Sequence, residues 1–174
     1  MSDLPDFESN DVELTEVIEH DQEAPTERSA ARRVALQVLY EIDCVKHSTD
    51  QVIDARLQDY PQLSKRAVRY VRRLVHGAMR SRSRLDTVIR QYAPEWPLEQ
   101  IAIVDRNILR IAIYELVAQP STPVGVVIAE AVELAGLFGA EGAPRFINGV
   151  LGALAETVDD LRAAWNAEMA GNGE

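Results

Sequence analysis

Few side chains in this 174-residue chain are of types and spacings that could support catalysis. Glu130 and Glu133 could form a general acid–base pair, although two acids at this spacing are more typical of a solvated helix face. The single cysteine, Cys44, is more typical of a small buried or boundary residue than of a nucleophile. Neither His47 nor His76 has a second ligand at metal-binding helical spacing. We therefore expect no enzymatic activity, no metal and no cofactor.

The arginines at the start of the first predicted helix are more informative. Arg28, Arg32 and Arg33 lie in its first turns, where positive charge opposes the helix macrodipole and needs another explanation. Arg33, Gln37 and Tyr40 share a face that is distinct from the apolar stripe of this helix. Contact with a phosphate chain would explain these arginines. Ordinary solvation, or pairing with the acids just before them, would explain them equally well.

A second basic cluster extends from Lys65 to Arg90 and contains nine basic residues but one acid, Asp86. One stripe of this region, opposite an apolar face, is formed by Lys65, Arg69, Arg72 and His76. A solvated helix face accounts for part of the cluster. The excess of positive charge favours an additional role in binding a polyanion or an acidic partner.

The acidic residues are distributed very unevenly. Residues 1–27 contain ten acids and no Lys or Arg, whereas residues 28–174 contain the other 18 acids and all 18 bases. The formal net charge of -10 therefore belongs to an acidic N-terminal segment (residues 1–27) attached to a neutral body. Its composition predicts disorder, and it does not resemble a signal peptide. No apolar stretch is long enough to span a bilayer, so we expect a soluble, cytoplasmic protein.

The apolar residues that follow this segment recur with helical spacing. Val34, Val38, Ile42 and Val45 form one such stripe, and the pattern repeats along the chain to Val158. All eight prolines lie in the acidic segment or between periodic stretches, and no alternating strand pattern is present. The sequence predicts an all-α fold of about seven helices, one of them over 98–116. We expect two packed helical subdomains, at about 28–94 and 95–158, followed by a helix end and tail over 159–174.

Several ordered motifs resemble those of the NusB family over about residues 28–158. They are Ala35–Tyr40 after the arginines, Leu85-Asp86, Trp96-Pro97-Leu98, Asp105–Leu116, Glu130–Ala135, Phe138-Gly139 and Phe146–Leu151. The resemblance implies two packed helical subdomains without catalysis. It also implies a transcription antitermination factor that binds boxA-type single-stranded RNA of ribosomal RNA leaders. The implied partners are a small-subunit ribosomal protein, NusE, and the RNA polymerase antitermination complex.

The resemblance also implies roles for individual residues. By position, the RNA contacts would come from Arg28, Arg32, Arg33 and Gln37, with Phe146 and Asn148 near the same RNA surface. Arginine contacts phosphate and stacks on bases, and Phe offers a stacking platform for unpaired bases. The ribosomal protein would contact Tyr40, Glu99 and Asp105. Acidic residues suit a basic partner because they steer the encounter.

This chain departs from the family pattern at Ser29 and Ala30, where basic residues are common. We hypothesise that Arg69, Arg72 and Arg73 supplement this thinned arginine element and that the acidic segment competes with RNA for the basic surface. A NusB-like domain attached to an RNA methyltransferase is a weaker alternative, because little chain follows Gly152. The other alternative is a non-catalytic helical adaptor with weak or lost RNA binding, and a homodimer is also compatible with the sequence.

Overall fold

The computed structural model describes residues 26–171, which form eight α-helices and one short 3₁₀ helix without any strand. The α-helices are α1 (Glu27–Cys44), α2 (Thr49–Gln58), α3 (Lys65–Arg80), α4 (Arg82–Tyr92), α5 (Ile103–Ala118), α6 (Val124–Phe138), α7 (Ala143–Ala155) and α8 (Val158–Gly171). The predicted all-α class is confirmed. The predicted disorder of the acidic segment lies outside the described residues, apart from Thr26 and Glu27.

The first three helices begin at hydroxyl caps that the sequence supplies. The Thr26 side chain accepts the backbone N–H of Ser29, so α1 begins at Glu27, one residue before the predicted start. Ser48 caps α2 through a capping box with Gln51. Ser64 caps α3 in the same way as Thr26 caps α1. These caps fix the residue at which each helix enters the bundle.

The expected count of about seven helices was too low by one. The predicted helix over 98–116 is a 3₁₀ turn, Leu98–Gln100, followed by α5. Near the C-terminus, a turn at Glu156 and Thr157 ends one helix, and α8 follows as a separate helix. The apolar spacing continues across this turn, which is why periodicity alone joined Val158 to α7.

Helix α5 lies at the centre of the fold and packs against α1, α3, α4, α6, α7 and α8. Buried side chains lie on nearly every side of α5, as expected for a central helix. They include Ile108, Leu109, Ile113 and Leu116. The buried apolar residues form one cluster that includes chain on both sides of residue 95. The division into two subdomains stays a prediction. Within residues 26–171, no helix is both long enough and apolar enough to cross a bilayer.

Two glycines permit close approaches between helices. The Tyr114 ring of α5 lies over Gly77 of α3, where a Cβ atom would be 2.0 Å from Cζ of Tyr114. At the end of α6, a Cβ atom on Gly139 would be 2.7 Å from Oδ1 of Asp105. Gly139 is the C-cap of α6, and its lack of a side chain leaves room for the start of α5.

Candidate nucleic-acid and partner interfaces

A groove of about 640 Å³ separates the start of α1 from one face of α3. It is lined by Thr26, Glu27, Arg28, Arg66, Ala67, Arg69, Tyr70 and Arg73, and we call it the arginine groove. The α3 residues face it together because positions 66, 69, 70 and 73 recur at helical spacing. The structure thus brings together predicted residues from both basic clusters: Arg28, Arg69 and Arg73.

The charges of the arginine groove are not neutralised within the described residues. None of its four arginines has a carboxylate oxygen within ion-pair distance in residues 26–171. Arg28 donates to the hydroxyl of Thr122 at 3.1 Å, and Arg73 donates to the side-chain oxygen of Gln119 at 3.2 Å. Both acceptors are neutral, so they hold the guanidinium groups without cancelling their charge.

Tyr70 forms the floor of the arginine groove and is 8% exposed. The guanidinium carbon of Arg28 lies 5.1 Å from the centre of its ring, and that of Arg32 lies 5.8 Å away, within cation–π range. Burial, reinforced by the charge of Glu115, raises the pKa of Tyr70 to about 12 against the opposing effect of both arginines. Tyr70 is therefore neutral at physiological pH, and its ring orients Arg28.

Arg32 does not face the groove. Its side chain is 3% exposed, and Nε and Nη2 donate to the two oxygens of Glu115 at 2.7 and 2.9 Å. Glu130 lies 3.4 Å from Nη1. Burial tends to lower the pKa of Arg32, but the hydrogen bonds and charge of Glu115, with Glu130, outweigh it and raise the pKa. The predicted RNA contact of Arg32 has no support in this geometry, in which the side chain joins α1 to α5 and α6.

The acids that could have formed a catalytic pair are structural partners of the first helix. Glu130 accepts the Ser29 hydroxyl at 2.6 Å and faces Arg32, while Glu133 pairs with Arg33 at 2.7 Å. Arg33 is half-buried in that pair and lies outside the arginine groove. The two acids therefore serve to hold α6 against α1.

Arg72 points away from the arginine groove although it lies on the same helix. Its guanidinium pairs with Asp54 of α2, and it does not line the groove. The sequence placed Arg69, Arg72 and Arg73 in one cluster, but a helix turns 100° per residue, so Arg69 and Arg73 share a face and Arg72 does not. The predicted RNA role of Arg72 has no geometric support here, which makes Arg72 a natural control position.

A second groove, of about 400 Å³, follows the other side of α1 and contains Gln37 and Tyr40. Gln37 accepts the Tyr60 hydroxyl at 2.7 Å, so it lies with a predicted partner residue rather than in the arginine groove. Tyr40 is 45% exposed, and Phe138, at the end of α6, is 43% exposed. We call this surface the Tyr40–Phe138 groove. Nothing in the sequence around Phe138 indicates an exposed ring.

A third groove, of about 340 Å³, is lined in part by Trp96, Gln100, Asp105, Gly142 and Phe146. We call it the Asp105 groove. Asp105 is 5% exposed, and its Oδ1 has no hydrogen-bond partner among residues 26–171. Burial raises the pKa of Asp105, while the backbone N–H of Ala140 acts in the opposite direction. A buried carboxylate oxygen without a hydrogen-bond donor lowers the stability of the fold.

The Asp105 and Tyr40–Phe138 grooves adjoin at the start of α5. Val104 lines the Tyr40–Phe138 groove, and the next residue, Asp105, lines the other. Glu99 is exposed on the 3₁₀ turn, beside Gln100. Two of the predicted partner residues, Tyr40 and Asp105, therefore line adjoining grooves, whereas Glu99 lines neither of them.

Phe146 and Asn148 lie on α7 and do not line the arginine groove. The half-buried ring of Phe146 packs edge-on against exposed Trp96, with the ring centres 6.2 Å apart. Asn148 is exposed. Phe146 instead lines the Asp105 groove and a neighbouring groove that includes Tyr92 and Arg145. The predicted RNA contacts of both residues stay predictions.

A buried polar network, which the sequence did not reveal, includes Asn107 and Arg110 of α5. Arg110 donates to both oxygens of Asp86 at 2.8 and 3.2 Å and to the side-chain oxygen of Asn107 at 3.0 Å. Asn107 in turn donates to Asp43 at 2.9 Å. This network joins the end of α1 to α4 and α5, so it sets the angle at which α1 presents its two grooves.

Comparisons with known proteins indicate the family of this chain. A model of the NusB family matches residues 29–156. The transcription antitermination protein NusB of Chloroflexus aggregans is 46% identical over 129 residues, covering 73% of this chain and 85% of the relative. The protein of the same name from Dehalococcoides mccartyi is 42% identical over 135 residues, covering 78% and 94% respectively.

Solved structures of NusB proteins are also similar to this chain. T. maritima NusB aligns with a TM-score of 0.69 at 31% identity, covering 74% of this chain and 90% of that chain. A chain from the crystal structure of antitermination factors NusB and NusE in complex with dsRNA aligns with a TM-score of 0.69 at 28% identity, covering 75% and 97%. The resemblance deduced from the motifs is thereby confirmed, and the chain belongs to the NusB family.

Proposed function

We propose that this protein is a non-catalytic transcription antitermination factor. It binds boxA-type single-stranded RNA of nascent ribosomal RNA leaders together with the small-subunit ribosomal protein NusE, within the RNA polymerase antitermination complex. Family membership over residues 29–156 supports the antitermination role. The observation that carries RNA binding is the arginine groove, which combines four guanidinium groups without a carboxylate partner in the described residues.

The RNA-contacting residues in this proposal are Arg28, Arg66, Arg69 and Arg73, with Tyr70 beneath them. Arginine binds phosphate through paired N–H groups and stacks on bases, so a groove of this composition suits an RNA strand. Residues from α3 compensate for Ser29 and Ala30, where α1 lacks further basic residues. Arg32 supports this surface from below, because its ion pair with Glu115 fixes the turn of α1 that presents Arg28.

The ribosomal protein occupies the surface formed by the Tyr40–Phe138 and Asp105 grooves. Tyr40 and Phe138 provide exposed aromatic area, and aromatic anchors commonly dominate binding energy at interfaces. Glu99 and Asp105 add negative charge that favours a basic partner.

Fluorescence anisotropy with labelled RNA tests this function. The purified chain, alone and with the ribosomal protein, is titrated against boxA RNA, a scrambled RNA of the same composition and a double-stranded RNA. The double-stranded arm is included because a similar NusB–NusE structure contains dsRNA. We expect the complex to prefer boxA RNA to the scrambled strand.

The same experiment separates the proposed function from its alternative. A complex that forms with the ribosomal protein but binds none of the three RNAs would indicate a helical interaction adaptor. Equal binding to boxA and scrambled RNA would contradict boxA recognition while leaving general RNA binding in place. A chain that dimerises and loses RNA binding as its concentration rises would indicate a homodimer that covers the arginine groove.

A further inference from the structure

We propose that the arginine groove is also the docking surface of the chain's own acidic N-terminal segment, which thereby competes with RNA. The segment meant here is residues 1–25, which carry nine carboxylates and no basic residue. The docking itself depends only on the groove and the segment. The competition rests on the proposed function, because it requires RNA to use the same arginines.

The charges of the two surfaces are complementary. Most other arginines in the described residues have a carboxylate partner, including Arg32, Arg33, Arg72 and Arg110. The four groove arginines have none there, and Glu27 is the one acid among the residues that line the groove. The groove therefore retains a concentrated positive charge within a protein whose net charge is -10. A polyacidic peptide is a ligand of matching charge.

The point of attachment favours this occupant over an acidic segment from another molecule. The segment joins the folded body at Thr26, which itself lines the groove. Arg66 and Arg73 are seven residues apart on α3, a distance of about 10 Å at a rise of about 1.5 Å per residue. Roughly three extended residues span that distance at about 3.3 Å each. The acids nearest the attachment, Glu23, Asp21 and Glu19, are therefore all within reach of the groove.

Tethering makes even a weak contact effective. A short tether gives an effective concentration on the order of 1 mM. A segment with an intrinsic dissociation constant of about 0.25 mM would then weaken RNA binding about fivefold at low salt. Because both interactions are screened, this difference should fall as the ionic strength increases. The segment would thus lower non-specific binding while a tighter RNA ligand still displaces it.

Paramagnetic relaxation tests docking directly and without RNA. A spin label is attached at Ser9→Cys in the full chain, with Cys44→Ser removing the native thiol. We expect the amide signals of Arg66–Arg73 to lose intensity at low salt, while those of α8 do not. High salt, or the double substitution Arg69→Glu and Arg73→Glu, should restore them. The single change Arg72→Glu, on the same helix but outside the groove, should leave the losses in place. Undiminished α3 signals in the labelled chain would overturn the proposal.

RNA titration of the same proteins tests the competition. We expect removal of residues 1–25, or full-length substitution of their acids by Asn and Gln, to tighten RNA binding about fivefold at low salt. Equal or weaker RNA binding by both variants would overturn the competition. If neither form binds RNA, the proposed function fails, while the relaxation measurement still decides whether the segment docks.

Discussion

Arg32 and Glu115 form a buried two-point ion pair, with Nε and Nη2 of the arginine 2.7 and 2.9 Å from the two carboxylate oxygens. The pair joins α1 to the central helix, one turn away from Arg28, which lies in the arginine groove. An arginine that the sequence marked as an RNA ligand is thus part of the internal support of that surface.

Glu115→Ala should lower the free energy of unfolding by about 3–5 kcal/mol, because it leaves the Arg32 charge buried without its main partner. Urea denaturation measures this loss. The control is Glu133→Ala, which breaks the more exposed pair with Arg33 and should cost about 1 kcal/mol or less. Similar small losses for both variants would show that the buried pair does not support α1.

Gly77→Ala should destabilise the fold by roughly 1–3 kcal/mol, because the new Cβ atom would overlap the Tyr114 ring. The matched control is Gly149→Ala in α7, where nothing lies within 4 Å of the added atom. That variant should gain about 0.5–1 kcal/mol from higher helix propensity. Thermal unfolding of the two variants checks the prediction, and equal melting temperatures would contradict the close packing of α3 on α5.

Asp105→Asn should stabilise the isolated protein at neutral pH. The folded-state pKa of Asp105 is raised, so the folded state binds the proton more tightly than the unfolded state does. Ionisation therefore costs stability as pH rises from the ordinary carboxyl pKa through the raised folded-state value. The gain in stability of Asp105→Asn over the wild type should be greatest above the raised folded-state pKa. It should vanish below the ordinary carboxyl pKa. Denaturation curves from acidic to neutral pH measure it, and a variant that is less stable at neutral pH would refute the assignment.

Phe138→Ala should weaken binding of the ribosomal protein by about 2 kcal/mol, or roughly 30-fold, if the exposed ring is an interface anchor. Leu137→Ala is the control, because Leu137 is also exposed but does not line the Tyr40–Phe138 groove. Isothermal titration calorimetry with the purified partner gives both affinities. Equal affinities for the two variants would exclude Phe138 as an anchor of this interface.

The sequence was sufficient to predict the fold class and most helix positions, because apolar periodicity and proline positions directly reflect burial and chain breaks. It failed at the turn near Glu156, where the apolar spacing of α7 continues into α8 without a glycine or proline between them. The Thr26 cap sets the start of α1 at Glu27, one residue before the start that the arginines indicated.

The candidate sites were only partly predictable. Charge clustering identified both basic regions, but it could not show that Arg28, Arg69 and Arg73 meet across a groove while Arg72 pairs with Asp54. Which arginines line the groove depends on how each helix is rotated about its axis and on partners that are far away in the sequence. Arg32 and Glu115 are 83 positions apart, so their pairing has no local signal in the sequence. The exposure of Phe138 likewise has no local signal in the sequence.

The most direct test of the RNA surface is the salt dependence of RNA binding by the partner complex, measured in chains with and without residues 1–25. Each phosphate contact to single-stranded RNA contributes about 0.7 to the slope of log affinity against log salt. We predict that Arg69→Glu with Arg73→Glu lowers the slope by roughly 1.4 or more. Arg72→Glu should leave it nearly unchanged. Equal slopes for the wild type and the double variant would contradict RNA binding in the arginine groove.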